Sequence, residues 1–316
     1  MSITERHETE ASLTESVVAT HMEAAPEEKP QTLWETFREM VYELVEYRDL
    51  LLQLTLRDIR IRYKQAVMGF AWAILMPMLI VGAGFLIKVA MAHMSGSDLQ
   101  LGSFAGMAVK ALPWAFFVGA IGFATNSLTG NINLVTKIYF PREVLPLSAV
   151  LAQAFDAAVG GTALAALLFL FLGIGLSLQT LWAIPLLMLL FLFTTGMALF
   201  LSCANLFFRD VKYIVQVLLM FGIFFTPVFY EPANFGPTGA RLLMLNPLAP
   251  LLEGLRLAVV EHHDLFHSLV ITSAAGPQIL AWHPGYLFYV AGWALLVGVG
   301  AWLLFHKLQF VYAEYI

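Results

Sequence analysis

The sequence predicts an all-α integral membrane protein: six transmembrane helices, an amphipathic interfacial helix before them, and short re-entrant helices between spans five and six. Three observations carry that expectation. Of the 316 residues 59% are apolar and only 12% are Asp, Glu, Lys or Arg, against roughly 45–50% and about 25% in soluble domains. Mean hydropathy is +0.77, too apolar for a fold that must cover its surface with polar groups. The apolar residues also fall in long runs without the alternation that membrane β-strands require.

A helix crosses the roughly 30 Å hydrocarbon layer with about 20 residues. Six stretches qualify, at about 70–92, 104–128, 146–172, 182–204, 213–230 and 286–306. Ahead of them, residues 1–33 are rich in Glu, Thr, Ser and Pro with few large apolar side chains, the composition of a disordered acidic head. From 34 to 69 the text turns helical. Leu50–Gln65 mixes apolar positions with Arg57, Asp58, Arg60, Arg62, Tyr63 and Lys64, which fits a basic amphipathic helix on the inner leaflet or a plain cytoplasmic lead-in to span one. The membrane domain then runs over 70–306, and 307–316 form a short tail.

Lysines and arginines orient the spans, since they gather on the cytoplasmic side. Arg57, Arg60, Arg62 and Lys64 precede span one, Lys137 and Arg142 follow span two, Arg209 and Lys212 follow span four, and Lys307 follows span six. The connections 93–103 and 173–181 carry none. Both termini are therefore expected in the cytoplasm, with the chain in a bacterial inner membrane. Lys88 and Lys110, near the outer ends of their spans, can snorkel to headgroups. The fifth connection, 231–285, holds two apolar pieces too short to span, Leu251–Val260 and Leu265–Ile271. Re-entrant or interfacial helices are expected there, because such backbone is tolerated at membrane depth only against protein or water.

Charge divides the chain in the same way. The first 50 residues hold 12 acids and 4 bases, the remaining 266 hold 10 and 13. The single Cys203 cannot close an internal disulfide and leaves the redox compartment open. No secretory signal is expected, since the N-terminus is acidic and the first long apolar run begins near Phe70.

Several chemistries are excluded. There is no P-loop, H-E-x-x-H, cysteine pair or G-x-S-x-G in the chain, and no resident metal or catalytic residue is expected. His263 and His267 at i, i+4 beside Glu261, His262 and Asp264 could in principle bind zinc, or simply form a polar loop. Asp156, mid-span with Gln153 one turn earlier, is either a functional intramembrane carboxylate or a structural acid satisfied by a neighbouring helix. In the second connection Lys137, Arg142 and Glu143 stand beside the large apolar Ile138, Tyr139 and Phe140. Protruding aromatics among charges make a docking surface, or alternatively anchor a helix end at the interface.

At these residues a family resemblance enters. Leu56-Arg57-Asp58-Ile59-Arg60-Ile61-Arg62-Tyr63-Lys64, followed by Gly69-Phe70-Ala71-Trp72 and Pro77, resembles the approach to span one in ABC-2 type permeases. The branch it is similar to exports polysaccharides and polyol phosphates: O-antigen, capsule and teichoic acid. Lys137-Ile138-Tyr139-Phe140-Pro141-Arg142-Glu143-Val144-Leu145-Pro146 resembles that branch's second connection, and Asn205-Leu206-Phe207-Phe208-Arg209-Asp210-Val211 its fourth. Asn246-Pro247 with Glu253 and Arg256, and the closing Phe310 and Glu314, fit as well. The acidic head and the histidine-bearing outer loop are enlarged relative to the pattern.

The resemblance implies a homodimeric permease driven by two copies of a separate ABC ATP-binding subunit, which would bind ATP and Mg. It implies that Lys137, Ile138, Tyr139, Phe140, Pro141, Arg142 and Glu143 couple ATPase movement to the spans. It also implies a lipid-linked glycan as cargo, a path lined largely by spans one and five, and no nucleic-acid partner. An ABC-2 permease for a small molecule or drug is the alternative. Phe70 and Trp72 in span one and Phe221, Phe225, Phe229 and Tyr230 in span five are the lining residues expected. The i, i+4, i+8 spacing of the three phenylalanines would put them on one helical face, where aromatic rings suit sugar C–H faces. Phenylalanine stripes also pack against helices or lipid.

Overall fold

The computed structural model describes residues 33–64, 71–95, 101–137, 140–272 and 278–308. Phe70, Ile138, Tyr139, Phe310, Glu314, the tail beyond Leu308 and all but Leu33 of the acidic head lie outside these residues. The chain divides into two compact units, residues 1–42 and 43–316. The described part of the first is the start of helix α1 (Leu33–Glu46), amphipathic by its spacing of apolar residues.

The second unit is built from long helices. After α2 (Arg48–Tyr63) come α3 (Ala71–Ser95), α4 (Leu101–Thr125), α5 (Val144–Leu172), α6 (Ala183–Phe207) and α7 (Val211–Phe225). Two shorter helices follow, α8 (Gly236–Leu243) and α9 (Leu248–Val259), then a hairpin of β1 (Leu269–Thr272) and β2 (Gln278–Trp282), and finally α10 (Gly285–Leu308). Among the described residues, four helical stretches are long and apolar enough to cross a membrane: Gly102–Thr125, Val144–Leu170, Leu178–Phe207 and Gly285–Leu308. Met78–Ile87 and Val211–Phe225 are shorter apolar helices.

The core lies among α4, α5, α6, α9 and α10. Where α6 meets α10 the backbones nearly touch. A Cβ on Gly196 would lie 2.5 Å from the Val297 carbonyl oxygen, and one on Gly298 2.7 Å from Leu192 Cδ1. Small residues permit this approach, which in an apolar environment replaces hydrophobic driving force with close contact. Helix α5 stops at Gly173, whose φ of 65° suits the left-handed cap.

Helix α9 is the central surprise of the fifth connection. At 12 residues it is about 18 Å long, too short to span, yet every residue except Val259 is buried. The first apolar piece of the fifth connection is thus a short helix sheathed in protein. The second piece differs from expectation: Leu269–Thr272 is a strand, not a helix, paired antiparallel with Gln278–Trp282. β-Branched Val270, Ile271 and Thr272 disfavour a helix and find backbone partners across the hairpin. The indole of Trp282, fully buried, donates to the Leu265 carbonyl at 2.9 Å and closes over Gly254 of α9.

Candidate functional site

Helix α2 packs along α5 through polar contacts. Ser148 donates to Asp58 at 3.1 Å, Arg62 donates to Gln153 at 2.8 Å and pairs with Asp156, and the Tyr63 hydroxyl donates to Asp156 as well. Asp156 is 6% exposed. Burial first, then the neighbouring Asp156, holds the Tyr63 hydroxyl well above the usual phenol range, so it remains a donor. The Asp156 carboxylate is therefore satisfied by a neighbouring helix. Arg57 pairs with Asp58 next to it, while Arg60, Lys64, Leu52, Leu56 and Ile61 face outward. Arg62, Tyr63, Gln153 and Asp156 themselves line a cavity of about 530 Å3, together with Trp72, Trp114 and Phe123. The Arg62 guanidinium sits 4.2 Å from the centre of the Phe123 ring.

The segment before α5 departs from the expected protruding surface. Phe140 is 6% exposed and belongs to a cluster with Leu54, Leu128, Val144, Leu199 and Phe305. Pro141 is buried, Arg142 half-buried and Lys137 exposed. Glu143 is buried too, and its Oε1 lies 3.3 Å from Nδ1 of His306. Apolar burial accounts for the difference: Phe140 joins a cluster that draws Leu54 from α2, Leu199 from α6 and Phe305 from α10. Ligand atoms of Glu43, Glu143 and His306 come within 4.8 Å of one another, a set able to share a proton or hold a divalent ion. His263 and His267 lie in irregular backbone between α9 and β1. Nε2 of His263 lies 3.0 Å from the His267 carbonyl, and His267 Nδ1 lies 3.1 Å from Asp264. Asp264, held below the usual carboxylate range first by the Phe266 backbone amide, also accepts from the Trp182 indole. These groups tie up a turn.

At the fifth connection five charged groups meet. Lys110 on α4 lies 3.5 Å from Glu253 on α9, and Arg256 donates to Glu253 at 2.6 Å. Arg256 also pairs with Glu261 and lies 3.9 Å from Glu231. Its Cγ and Cδ pass 2.9 Å from where a Cβ on Gly106 would be, one turn before Lys110. Burial pushes the Glu253 carboxyl up, but Lys110 and Arg256 outweigh it and hold it below its ordinary 4.5. The snorkelling expected of Lys110 is thus corrected: at 2% exposure it is turned inward, donating to the Tyr230 carbonyl at 2.7 Å.

Helix α7 ends at Phe225, because Thr226 precedes Pro227 and is extended. Its last carbonyls find side-chain donors: Tyr230 on Phe224 at 2.7 Å and Asn246 on Phe225 at 3.3 Å. Asn246 also accepts from the Leu248 amide at the start of α9. Phe221 and Phe225 are 53% and 71% exposed, but Phe229 lies past the helix end and packs against Gly84. The three rings do not share one helical face.

Residues 49–260 match the family described as ABC-2 type transporter. This chain is an ABC-2 type transporter membrane protein. Its similarity extends to O-antigen export system permease proteins named RfbA. With the one from Myxococcus xanthus it shares 29% identity over 255 residues, covering 79% of this chain and 95% of that one. With one from Klebsiella pneumoniae it shares 29% over 280 residues, 87% and 98% of the two chains. A second Klebsiella pneumoniae RfbA is 28% identical over 281 residues. The ABC-2 match takes in α2 from Asp49 onward, the segment before α5, α7 and α9, whereas Glu43, Glu261, the turn that holds His263 and His267, Phe305 and His306 fall outside it.

Proposed function

We propose that this ABC-2 permease exports a lipid-linked polysaccharide outward across the cytoplasmic membrane, as a homodimer energised by two copies of a separate ATP-binding subunit. The observation that carries this reading is its similarity to O-antigen export permeases over almost their whole length. In this reading α3 and α7 complete a set of six spans with α4, α5, α6 and α10, and both termini are cytoplasmic. The charges before α5, Arg142 and Lys137 foremost, meet the ATP-binding subunit. Movement there reaches α2 through the Asp58, Arg62 and Tyr63 contacts on α5. Exposed Phe221, Phe225 and Trp72, with Phe70 and Tyr230, line the path, and Phe229 braces its wall.

Co-expression with the ATP-binding subunit tests this. The expected result is a complex of two copies of each that hydrolyses ATP, a permease inert alone, and loss of surface glycan when the permease gene is deleted. Hydrolysis by the isolated permease, or surface glycan unchanged by the deletion, would overturn it.

A further inference from the structure

The fifth connection contains two arginines, and the structure gives them opposite fates. Arg256 is 4% exposed and engaged with Glu253, Glu261 and Glu231. Arg241, in the last turn of α8, is exposed, and among the described residues no carboxylate lies within ion-pair distance of it. It lines a shallow cup of about 300 Å3 together with Met244, Leu280, His283, Tyr286 and Tyr289.

The rings of this cup are held in place. Tyr286 lies edge-on to Trp282, centroids 5.8 Å apart, and to His283 at 6.5 Å. The Tyr289 hydroxyl donates to the Leu245 carbonyl at 2.5 Å, and its ring meets Trp293 edge-on. His283 Nδ1 accepts from the Gly285 amide at 3.0 Å, so the neutral imidazole carries its proton on Nε2 as a donor. Three fixed rings, a ring N–H and an unpaired guanidinium surround a space near the lower limit of ligand pockets, about 300 Å3.

We propose that this cup binds an anionic monosaccharide unit, a sugar ring bearing a carboxylate or phosphate. Tyrosine faces offer apolar contact to the C–H face of a pyranose, as aromatic rings do at interfaces that are half apolar and half wet. The guanidinium offers the forked donor pair that matches a carboxylate or phosphate. Resting on the export reading, which puts the fifth connection outside, the cup is a subsite for an acidic unit of the emerging glycan.

The test uses the full chain purified in detergent, probed by saturation-transfer NMR with glucuronate, glucose and inorganic phosphate. Saturable transfer to glucuronate is expected, at least tenfold weaker in Arg241→Gln and in Tyr286→Leu, with Arg241→Lys intermediate because it keeps charge but not the fork. Glucose should bind at least tenfold more weakly than glucuronate. Absence of saturable glucuronate transfer in the wild type, or transfer unchanged by Arg241→Gln, overturns the proposal. Phosphate displacing glucuronate at equal concentration overturns the sugar assignment, reducing the cup to an anion patch. Because no ATP-binding subunit is present, these outcomes are independent of the surface-glycan and ATPase measurements that decide the export reading.

Discussion

Lys110 Nζ and Glu253 Oε2 lie 3.5 Å apart with both side chains 2% exposed. A lysine from a long apolar helix and a glutamate from a short sheathed one neutralise each other where water is excluded. Desolvating two such charges costs several kcal/mol each, so the pair is an obligation on both partners more than a source of net stability.

Lys110→Met should therefore destabilise the protein by about 1–3 kcal/mol, less than stranding a charge outright, because Glu253 keeps Arg256 at 2.6 Å. Glu253→Gln should cost more, since it removes the partner of both Lys110 and Arg256, each variant being measured by thermal unfolding in detergent. The pH dependence has a definite sign. The folded Glu253 carboxyl lies below its ordinary 4.5, so its contribution is fully present above pH 4.5 and is lost as pH falls through the folded value. In Lys110→Met the acid transition should begin at higher pH.

Asp156 gives the second prediction. If it serves to hold α2 on α5, Asp156→Ala should cost about 3–5 kcal/mol and strand Arg62. Replacing both with leucine should be milder than Asp156→Ala alone. Glycan export by the single variant should fall in step with the amount of assembled protein. Export lost at normal protein levels in Asp156→Asn would instead point to proton transfer.

Before α5, burial separates residues that the bare segment presents alike. Phe140→Ala should lower stability by about 3–5 kcal/mol through lost packing and a cavity, with or without the ATP-binding subunit. Exposed Lys137→Glu should leave thermal unfolding unchanged and weaken stimulation of ATP hydrolysis in the assembled complex. Equal effects of both on stability would contradict this division.

The long helices were legible because a run of apolar residues longer than about 20 has few other solutions. Partners were not. Nothing in the spacing of Lys110 reveals whether its chain reaches headgroups or turns inward, because the Glu253 that attracts it is 143 residues away. The docking of Arg62 and Tyr63 on Asp156 is likewise a long-range event, although an acid in an apolar run announced that some partner must exist. The strand at Leu269–Thr272 is signalled by three consecutive β-branched residues, Val270, Ile271 and Thr272, a propensity that the apolar character of the run does not reveal. At Phe229 the helical period does not carry past Pro227, because the residue before a proline is pushed out of the helical region.

That last point makes the two phenylalanines a matched pair. Phe225 is 71% exposed at the end of α7, and Phe229, four residues on, packs against α3: a Cβ on Gly84 would lie 2.7 Å from its ring. Phe229→Ala should then remove packing from a half-buried ring, losing about 1–3 kcal/mol and reducing the assembled complex. Phe225→Ala removes a ring that this protomer does not bury, so unfolding temperature and assembly should hold while export falls if the ring meets the glycan. Measuring assembled complex and surface glycan in the same cells separates the outcomes. Loss of assembly in Phe225→Ala would assign that ring to the contact with a second copy, and normal export with normal assembly would leave it facing lipid. A stable Phe229→Ala protein with impaired export would return Phe229 to the path and contradict the packing argued from Gly84.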